Sequence, residues 1–229
     1  MICTDVGAGV SPLSVVIPAL NAARRIGATL AALDGAGEVV VVDGGSADAT
    51  VALARAAGAR VLDAPRGRGG QLAAGVSVAR HPWLLLLHAD TVPAPGWLAA
   101  AAWLMAAGPA RAGYFRLVLD SADPRARRLE RAVAWRCRVL ALPYGDQGLL
   151  IHRDLLAAVG GVRPLPLMED VDLVRRLGRA RLVALDAAAM TSAERWERDG
   201  WALRSARNLA CLAAWFAGVS PRCLARWYV

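Results

Sequence analysis

Three short stretches gather the side chains able to do chemistry. Asp43 and Ser46 stand in Asp43-Gly44-Gly45-Ser46, and His88 and Asp90 in His88-Ala89-Asp90. Glu169, Asp170 and Asp172 crowd into Met168-Glu169-Asp170-Val171-Asp172-Leu173. A carboxylate can ligate a divalent cation, accept a hydrogen bond, or take a proton from a group within reach. Arg66 and Arg68 lie in the stretch Arg66-Gly67-Arg68-Gly69-Gly70-Gln71, where guanidinium groups suit phosphate. Each set also has a plain structural reading. Asp43 and Ser46 are helix-capping types, a strand-end histidine can simply pack, and acids opening a helix complement its dipole. The Gly-Arg stretch reads equally well as a flexible basic turn.

The elements that must position these residues follow from the hydrophobic pattern. Residues 14–17 form a short apolar run ended by Pro18, which predicts a buried first strand, and Asn21 offers a cap for an Ala-rich helix to Leu33. Residues 38–42 predict a second strand stopping at Asp43, residues 48–57 a helix ended by Gly58, and residues 60–62 a third strand. A loop over 63–70, a helix over 71–79 and a wholly apolar strand over 83–87 complete this half. Continuous apolar strands alternating with helices predict a parallel sheet covered on both faces. Ligands of such sheets bind outside the carboxyl ends of the strands, so Asp43 and Asp90 share one rim. Further on, the pattern predicts a strand over 114–119, a helix over 124–142 with six arginines, a strand over 149–152, and helices over 154–159, 169–177 and 201–217. Ser220-Pro221 opens a last helix as cap and first position.

With 229 residues and 56% hydrophobic content, the chain suffices for one sizeable α/β domain and excludes wholesale disorder. It contains no lysine; its net charge of +8 comes entirely from arginine against acids. That charge suits an anionic partner: a nucleotide diphosphate, an acidic lipid surface or a nucleic acid. The arginines are scattered without a zinc-finger or RNA-recognition motif, which argues against nucleic acid. Cys3, Cys137, Cys211 and Cys223 lack metal-ligand spacing and read as reduced thiols. Residues 1–10 lack a signal-peptide pattern, and the longest apolar stretch, residues 81–108, is broken by Asp90, Pro93 and Pro95. The expectation is a cytoplasmic protein that does not span a membrane.

Three motifs in order, Val15-Val16-Ile17-Pro18-Ala19-Leu20-Asn21, Val41-Val42-Asp43-Gly44-Gly45-Ser46-Ala47-Asp48-Ala49-Thr50 and Leu87-His88-Ala89-Asp90-Thr91, resemble those of family-2 glycosyltransferases of the GT-A fold. The resemblance runs from about residue 13 to 172. It implies an α/β fold, a mostly parallel sheet with helices on both faces over residues 12–185, and a helical extension over 186–229 packed on the same domain. The Gly-Arg stretch, Tyr144-Gly145-Asp146-Gln147-Gly148, the Glu169-Asp170 stretch and Gly218-Val219-Ser220-Pro221 are similar to a small bacterial branch called radical-SAM/selenodomain-associated transferase 2, or arsenosugar-biosynthesis glycosyltransferase.

The resemblance implies inverting transfer of a sugar from a nucleotide diphosphate donor, UDP-linked, with Mg²⁺ or Mn²⁺, to a small-molecule or lipid acceptor. It puts Pro18, Ala19, Asn21, Asp43, Gly44, Ser46, Arg68, Asp90 and Arg195 on the donor, Asp43 receiving the base. Asp90 is the metal ligand, at the last acid of the DxD motif. Asp170 and Glu169 are implied as catalytic, Asp170 ahead of Glu169 as the general base, and Gly145, Asp146, Gln147 and Trp196 as the acceptor side. Three positions depart from the family pattern. His88 replaces the first acid of DxD, no later histidine ligand is visible, and Ser192 stands where processive relatives carry Gln before Arg195-Trp196. A nucleotidyltransferase would carry its Gly-Arg loop directly after the first strand, and a dinucleotide-binding domain would show GxGxxG there; neither does. The alternatives kept are a nucleotidyltransferase of the same fold, despite the displaced loop, and a non-catalytic, membrane-associated nucleotide-sugar-binding protein. Trp201, Trp215, Phe216, Trp227 and Tyr228, mixed with arginines, suit membrane contact, closure of the site or a homodimer equally.

Overall fold

In the computed structural model, residues 11–227 are described; Cys3, the reading of residues 1–10 and Tyr228 lie outside them. The first half alternates strand and helix: β1 (Leu13–Ala19), α1 (Ile26–Ala31), β2 (Glu38–Asp43), α2 (Thr50–Ala56), β3 (Arg60–Asp63), α3 (Arg68–Val78) and β4 (Trp83–Leu86). Side chains on a strand alternate between faces, so an unbroken apolar strand needs cover on both. Val15, Ile17, Val41 and Leu85 join one buried cluster, while their neighbours Val16, Val40, Val42, Leu84 and Leu86 join the other.

Next come β5 (Thr91–Pro93), α4 (Trp97–Ala106), β6 (Ala112–Leu119), α5 (Pro124–Leu140), β7 (Leu149–His152), α6 (Arg153–Ala158), α7 (Glu169–Leu177) and β8 (Leu182–Thr191). The chain ends with α8 (Glu194–Asp199), α9 (Trp201–Phe216) and α10 (Pro221–Trp227). One eight-stranded sheet runs β3-β2-β1-β4-β7-β6-β8-β5. β3, β2, β1 and β4 are parallel, as are β6 and β8, whereas β7 and β5 pair antiparallel to their neighbours. Ala19, Asp43 and Asp63 lie level in register, so the carboxyl ends of the parallel strands form one rim.

Four differences from the sequence reading have physical causes. The first helix starts at Ile26 because Asn21 is left-handed (φ 49°), whereas a helix cap sits in the extended region. α3 starts at Arg68, three residues early, with its first turn pressed on the loop between α6 and α7. A Cβ at Gly69 would lie 2.5 Å from the Arg163 carbonyl oxygen. α4 and β8 went unread because Ala fills them and leaves no clear period; pairing with β6 and β5 overrides the helix preference of alanine in β8. β8 also crosses the expected boundary at 185/186, so the sheet continues to Thr191 before the helices begin.

The C-terminal helices seal two smaller clusters. Trp201 packs with Leu117, Leu119 and Val133, and Cys211, Leu212 and Leu224 pack with Val171 and Val174 of α7. None of the helices among the described residues is long and apolar enough to cross a membrane.

Candidate active site

At the rim, the loops after β1 and β2 are stitched together. Asp43 Oδ2 accepts the backbone N–H groups of Gly45 (2.9 Å) and Ser46 (2.8 Å), and its Oδ1 accepts the Ser46 hydroxyl. The Ser46 Oγ in turn accepts the Asn21 N–H at 2.8 Å, and Asn21 Oδ1 accepts the Ala47 N–H at 2.9 Å. Asp43 and Ser46 do not cap α2; Asp48, whose Oδ1 accepts the Thr50 N–H, serves its start. Asp43 is only 4% exposed, and Oδ1 keeps a lone pair for a further donor. Pro18 and Ala19 lie in β1, and the Ala19 carbonyl accepts from Gly44 N–H and Gln71 Nε2.

Gln71 is the pin beneath this rim. Its amide donates to the carbonyls of Ala19 (2.9 Å) and Val42 (2.8 Å) at the ends of two adjacent strands. Gly44 passes directly over it, since a Cβ there would lie 3.0 Å from Gln71 Nε2. In the sequence Gln71 stands only in the Gly-Arg stretch and at the start of the helix expected over 71–79; a lone amide among glycines and alanines is the signal for its role.

From the first turn of α3, Arg68 reaches across to α7. Its Nε lies 2.7 Å from Glu169 Oε1, and its Nη1 lies 3.4 Å from His88 Nε2. Burial first, then the Arg68 and Arg195 cations, hold the His88 imidazole well below its ordinary pKa, so it is neutral at pH 7. Glu169 is 1% exposed, and its Oε2 has no hydrogen-bond partner among the described residues. Burial raises its pKa to about 7 and Asp170 adds to the rise, while Arg68 opposes it. Desolvation outweighs the ion pair here, because Arg68 itself is partly solvated.

The 3₁₀ turn Gly145–Gln147 closes the site from the other side. Asp170 Oδ2 accepts the Gly145 N–H and Oδ1 the Val171 N–H, both at 2.8 Å, which fixes the carboxylate between turn and helix. Gly145 lies against the His88 ring, where a Cβ would come within 2.4 Å of Nε2. Half-buried Asp146 has an Oδ1 without a hydrogen-bond partner among the described residues, and its pKa is raised to about 6, chiefly by desolvation. Asp170 and Asp90 push it further up against Arg136 and Arg68, so these three carboxylates share one electrostatic neighbourhood.

Gln147 corrects the expectation of an acceptor contact. It is 2% exposed; its Nε2 donates to the Phe115 carbonyl, and its Oε1 accepts from the Tyr144 N–H, Arg136 and Cys137. With every polar atom engaged, it holds the turn that carries Gly145 and Asp146. Trp196 packs against the cluster of Leu117, Leu119 and Trp201, its buried indole N–H without a partner among the described residues. Arg195 is exposed at the margin, near enough to act on His88. Arg136 lies 3.4 Å over the Tyr144 ring and occupies that face.

His88, Gly145, Glu169 and Asp170 border a cleft with about 470 Å³ of empty space, partly open to solvent, over an apolar floor of Leu72, Leu86, Leu149 and Leu173. No group of three or more His, Cys, Asp or Glu residues arranged to hold a metal occurs among the described residues. Half-buried Asp90, with Asp146 and its orphaned oxygen nearby, fits a cation that completes its shell with phosphate and water.

The profile described as Glycosyl transferase family 2 matches residues 14–156. Curated relatives include uncharacterised glycosyltransferases of Mycobacterium tuberculosis and Mycobacterium bovis, 38% identical over 79 residues. The match covers 34% of this chain and 36% of each relative, so the chain spans little more than a third of their length. Among solved structures, a mycobacterial protein is 25% identical with a TM-score of 0.57, over 79% of this chain and 64% of that one. Glucosyl-3-phosphoglycerate synthase from Mycobacterium tuberculosis, in complex with Mn²⁺, uridine diphosphate and glucosyl-3-phosphoglycerate, gives 22% and 0.53, over 79% and 70%. TarS of S. aureus, residues 1–349, gives 18% and 0.65, over 79% and 60%. The fold is the GT-A arrangement.

Proposed function

Since the chain belongs to glycosyl transferase family 2, we propose that it transfers a sugar, with inversion, from a nucleotide diphosphate donor to an acceptor hydroxyl. The observation that carries this reading is the convergence of Asp90, Arg68 and Asp170, from three separate elements, around Asp146, with Asp170 and Glu169, the partner of Arg68, bordering the cleft. The solved relative holding Mn²⁺ and uridine diphosphate supports a uridine donor. Of the stretches similar to the radical-SAM-associated branch, 144–148 and 168–173 contribute residues to this cleft, and Arg68 of 66–71 reaches it through Glu169 and His88.

In this reading Asp43 receives the base, through the lone pair left on Oδ1, while Asn21 and Ser46 keep its loop in place. Arg68 and Arg195 stabilise the charge that develops on the leaving diphosphate. Asp90 would hold a divalent cation, Mg²⁺ or Mn²⁺, which would supply further neutralisation of that charge. Asp170 takes the acceptor hydroxyl proton as the oxygen attacks the anomeric carbon; the new C–O bond forms while the bond to phosphate breaks and the nucleoside diphosphate leaves. Two backbone N–H groups orient the base and leave its remaining lone pairs for the acceptor. Glu169 holds Arg68, which makes it a positioning residue in place of a second base.

A thermal-shift screen of nucleoside diphosphates and their sugar conjugates, with and without Mn²⁺, tests the reading. One nucleotide should raise Tm, and raise it more with the metal. If no nucleotide stabilises the protein under any metal condition, glycosyl transfer is refuted.

A further inference from the structure

Helix α9 buries Trp201, Arg204, Cys211 and Leu212 and turns an apolar face outward. Exposed residues recur at helical spacing, Ala202, Ala206, Leu209, Ala213 and Phe216, with Leu203 beside them. Leu203 is 61% and Leu209 64% exposed, in positions where soluble helices usually carry charge. From residue 201 to 227 there is no acid, but there are four arginines, Arg204, Arg207, Arg222 and Arg226. On α10, Arg222 and Arg226 are exposed beside Trp227 at 62%. The neighbouring helix α5, which shares a buried cluster with Trp201, repeats the combination with Trp135 exposed among Arg128, Arg131 and Arg138.

We propose that the exposed faces of α9 and α10 dock the protein on an anionic lipid surface, with α9 lying in the interfacial plane. An amphipathic helix binds there by burying its apolar face while cations meet lipid headgroups and tryptophans sit at the boundary. The 16 residues of α9 extend about 24 Å, enough to lie on a bilayer and too short to cross it. Charge complementarity selects lipid over a second copy of the chain: a copy would bring the same acid-free, arginine-bearing surface, whereas an anionic bilayer supplies the opposite sign. The buried side of α9 packs on Val171 and Val174 of α7, so the docked face lies behind the helix that carries Asp170 in its first turn. This inference does not depend on the catalytic reading.

Sedimentation of the full chain with vesicles of phosphatidylcholine alone, or with added phosphatidylglycerol, tests it. Anionic vesicles at low salt should bind the protein at least about tenfold better than neutral ones. Replacing Leu203, Leu209 and Phe216 by Asn should reduce that binding about tenfold or more, with circular dichroism and Tm reporting that the chain stays folded. Arg222→Glu with Arg226→Glu, on the short last helix, should weaken binding to anionic vesicles alone, and stands in if the apolar variant misfolds. No binding to anionic vesicles, or binding that both variants leave unchanged, overturns the proposal. Light scattering that finds a dimer which the apolar variant splits, without vesicle binding, overturns it in favour of a self-association face.

Discussion

The two sides of the cleft are built on opposite principles. On the donor side, from Ala19 to Asn21 and Asp43 to Thr50, polar groups satisfy one another through Asp43, Ser46, Asn21 and Gln71. On the acceptor side, Asp146 and Glu169 keep oxygens buried without partners, and burial raises the pKa of both carboxyls. The first side is a finished scaffold whose shape exists before a ligand arrives. The second stores unfavourable charge that positive or proton-donating groups relieve. Substitutions in the donor-side hydrogen-bond network should therefore cost stability, and those of the ligand-facing carboxylates should cost function while leaving stability level or raising it.

The largest expected effect is on turnover. Asp170→Asn should lower kcat about a thousandfold with whichever acceptor a panel of hydroxyl compounds reveals, while nucleotide affinity stays within about twofold. An active variant would move the base elsewhere and weaken the contrast. Asp90→Ala should come next, weakening nucleotide binding in Mn²⁺ by about a hundredfold, or ~2.7 kcal/mol, and leaving metal-free binding unchanged in calorimetry. On the donor side, Gln71→Ala should cost about 2 kcal/mol by stripping two strand-end carbonyls of a partner. Chemical denaturation reads this, and an unaffected midpoint would mean the rim does not need its pin.

The smallest effect sharpens the comparison through pH. Native Asp146 titrates at about 6 and Glu169 at about 7, both above ordinary carboxylates. The folded state then holds more protons than the unfolded chain between about pH 4 and 7, so stability falls as pH rises through that window. Asp146→Asn should remove part of the fall, a gain of about 1–2 kcal/mol at pH 8 and little at pH 4, discounted because Asp146 is only half-buried. Parallel stability curves for variant and wild type would show that the Asp146 carboxyl is not destabilised.

The donor side was the more legible in sequence for the same reason that it is finished. Asp43 and Asp90 follow strands whose apolar runs are unmistakable, and local glycines mark the turns. The acceptor side is assembled by contacts distant in sequence, such as Arg68 with Glu169 and Gly145 with Asp170, which no local pattern encodes. Gln147 illustrates the limit: its neighbours face the cleft, but a 3₁₀ turn directs its amide into the protein. α4 and β8 escaped because alanine suits helix, core and strand alike once neighbours decide burial.

The most direct test of nucleotide-sugar chemistry at this cleft is calorimetric titration of uridine diphosphate into the full chain, with and without Mn²⁺. The account predicts saturable binding that Mn²⁺ tightens at least about tenfold in the wild type and leaves untouched in Asp90→Ala. Absence of binding, or the same Mn²⁺ increment in both proteins, would contradict it.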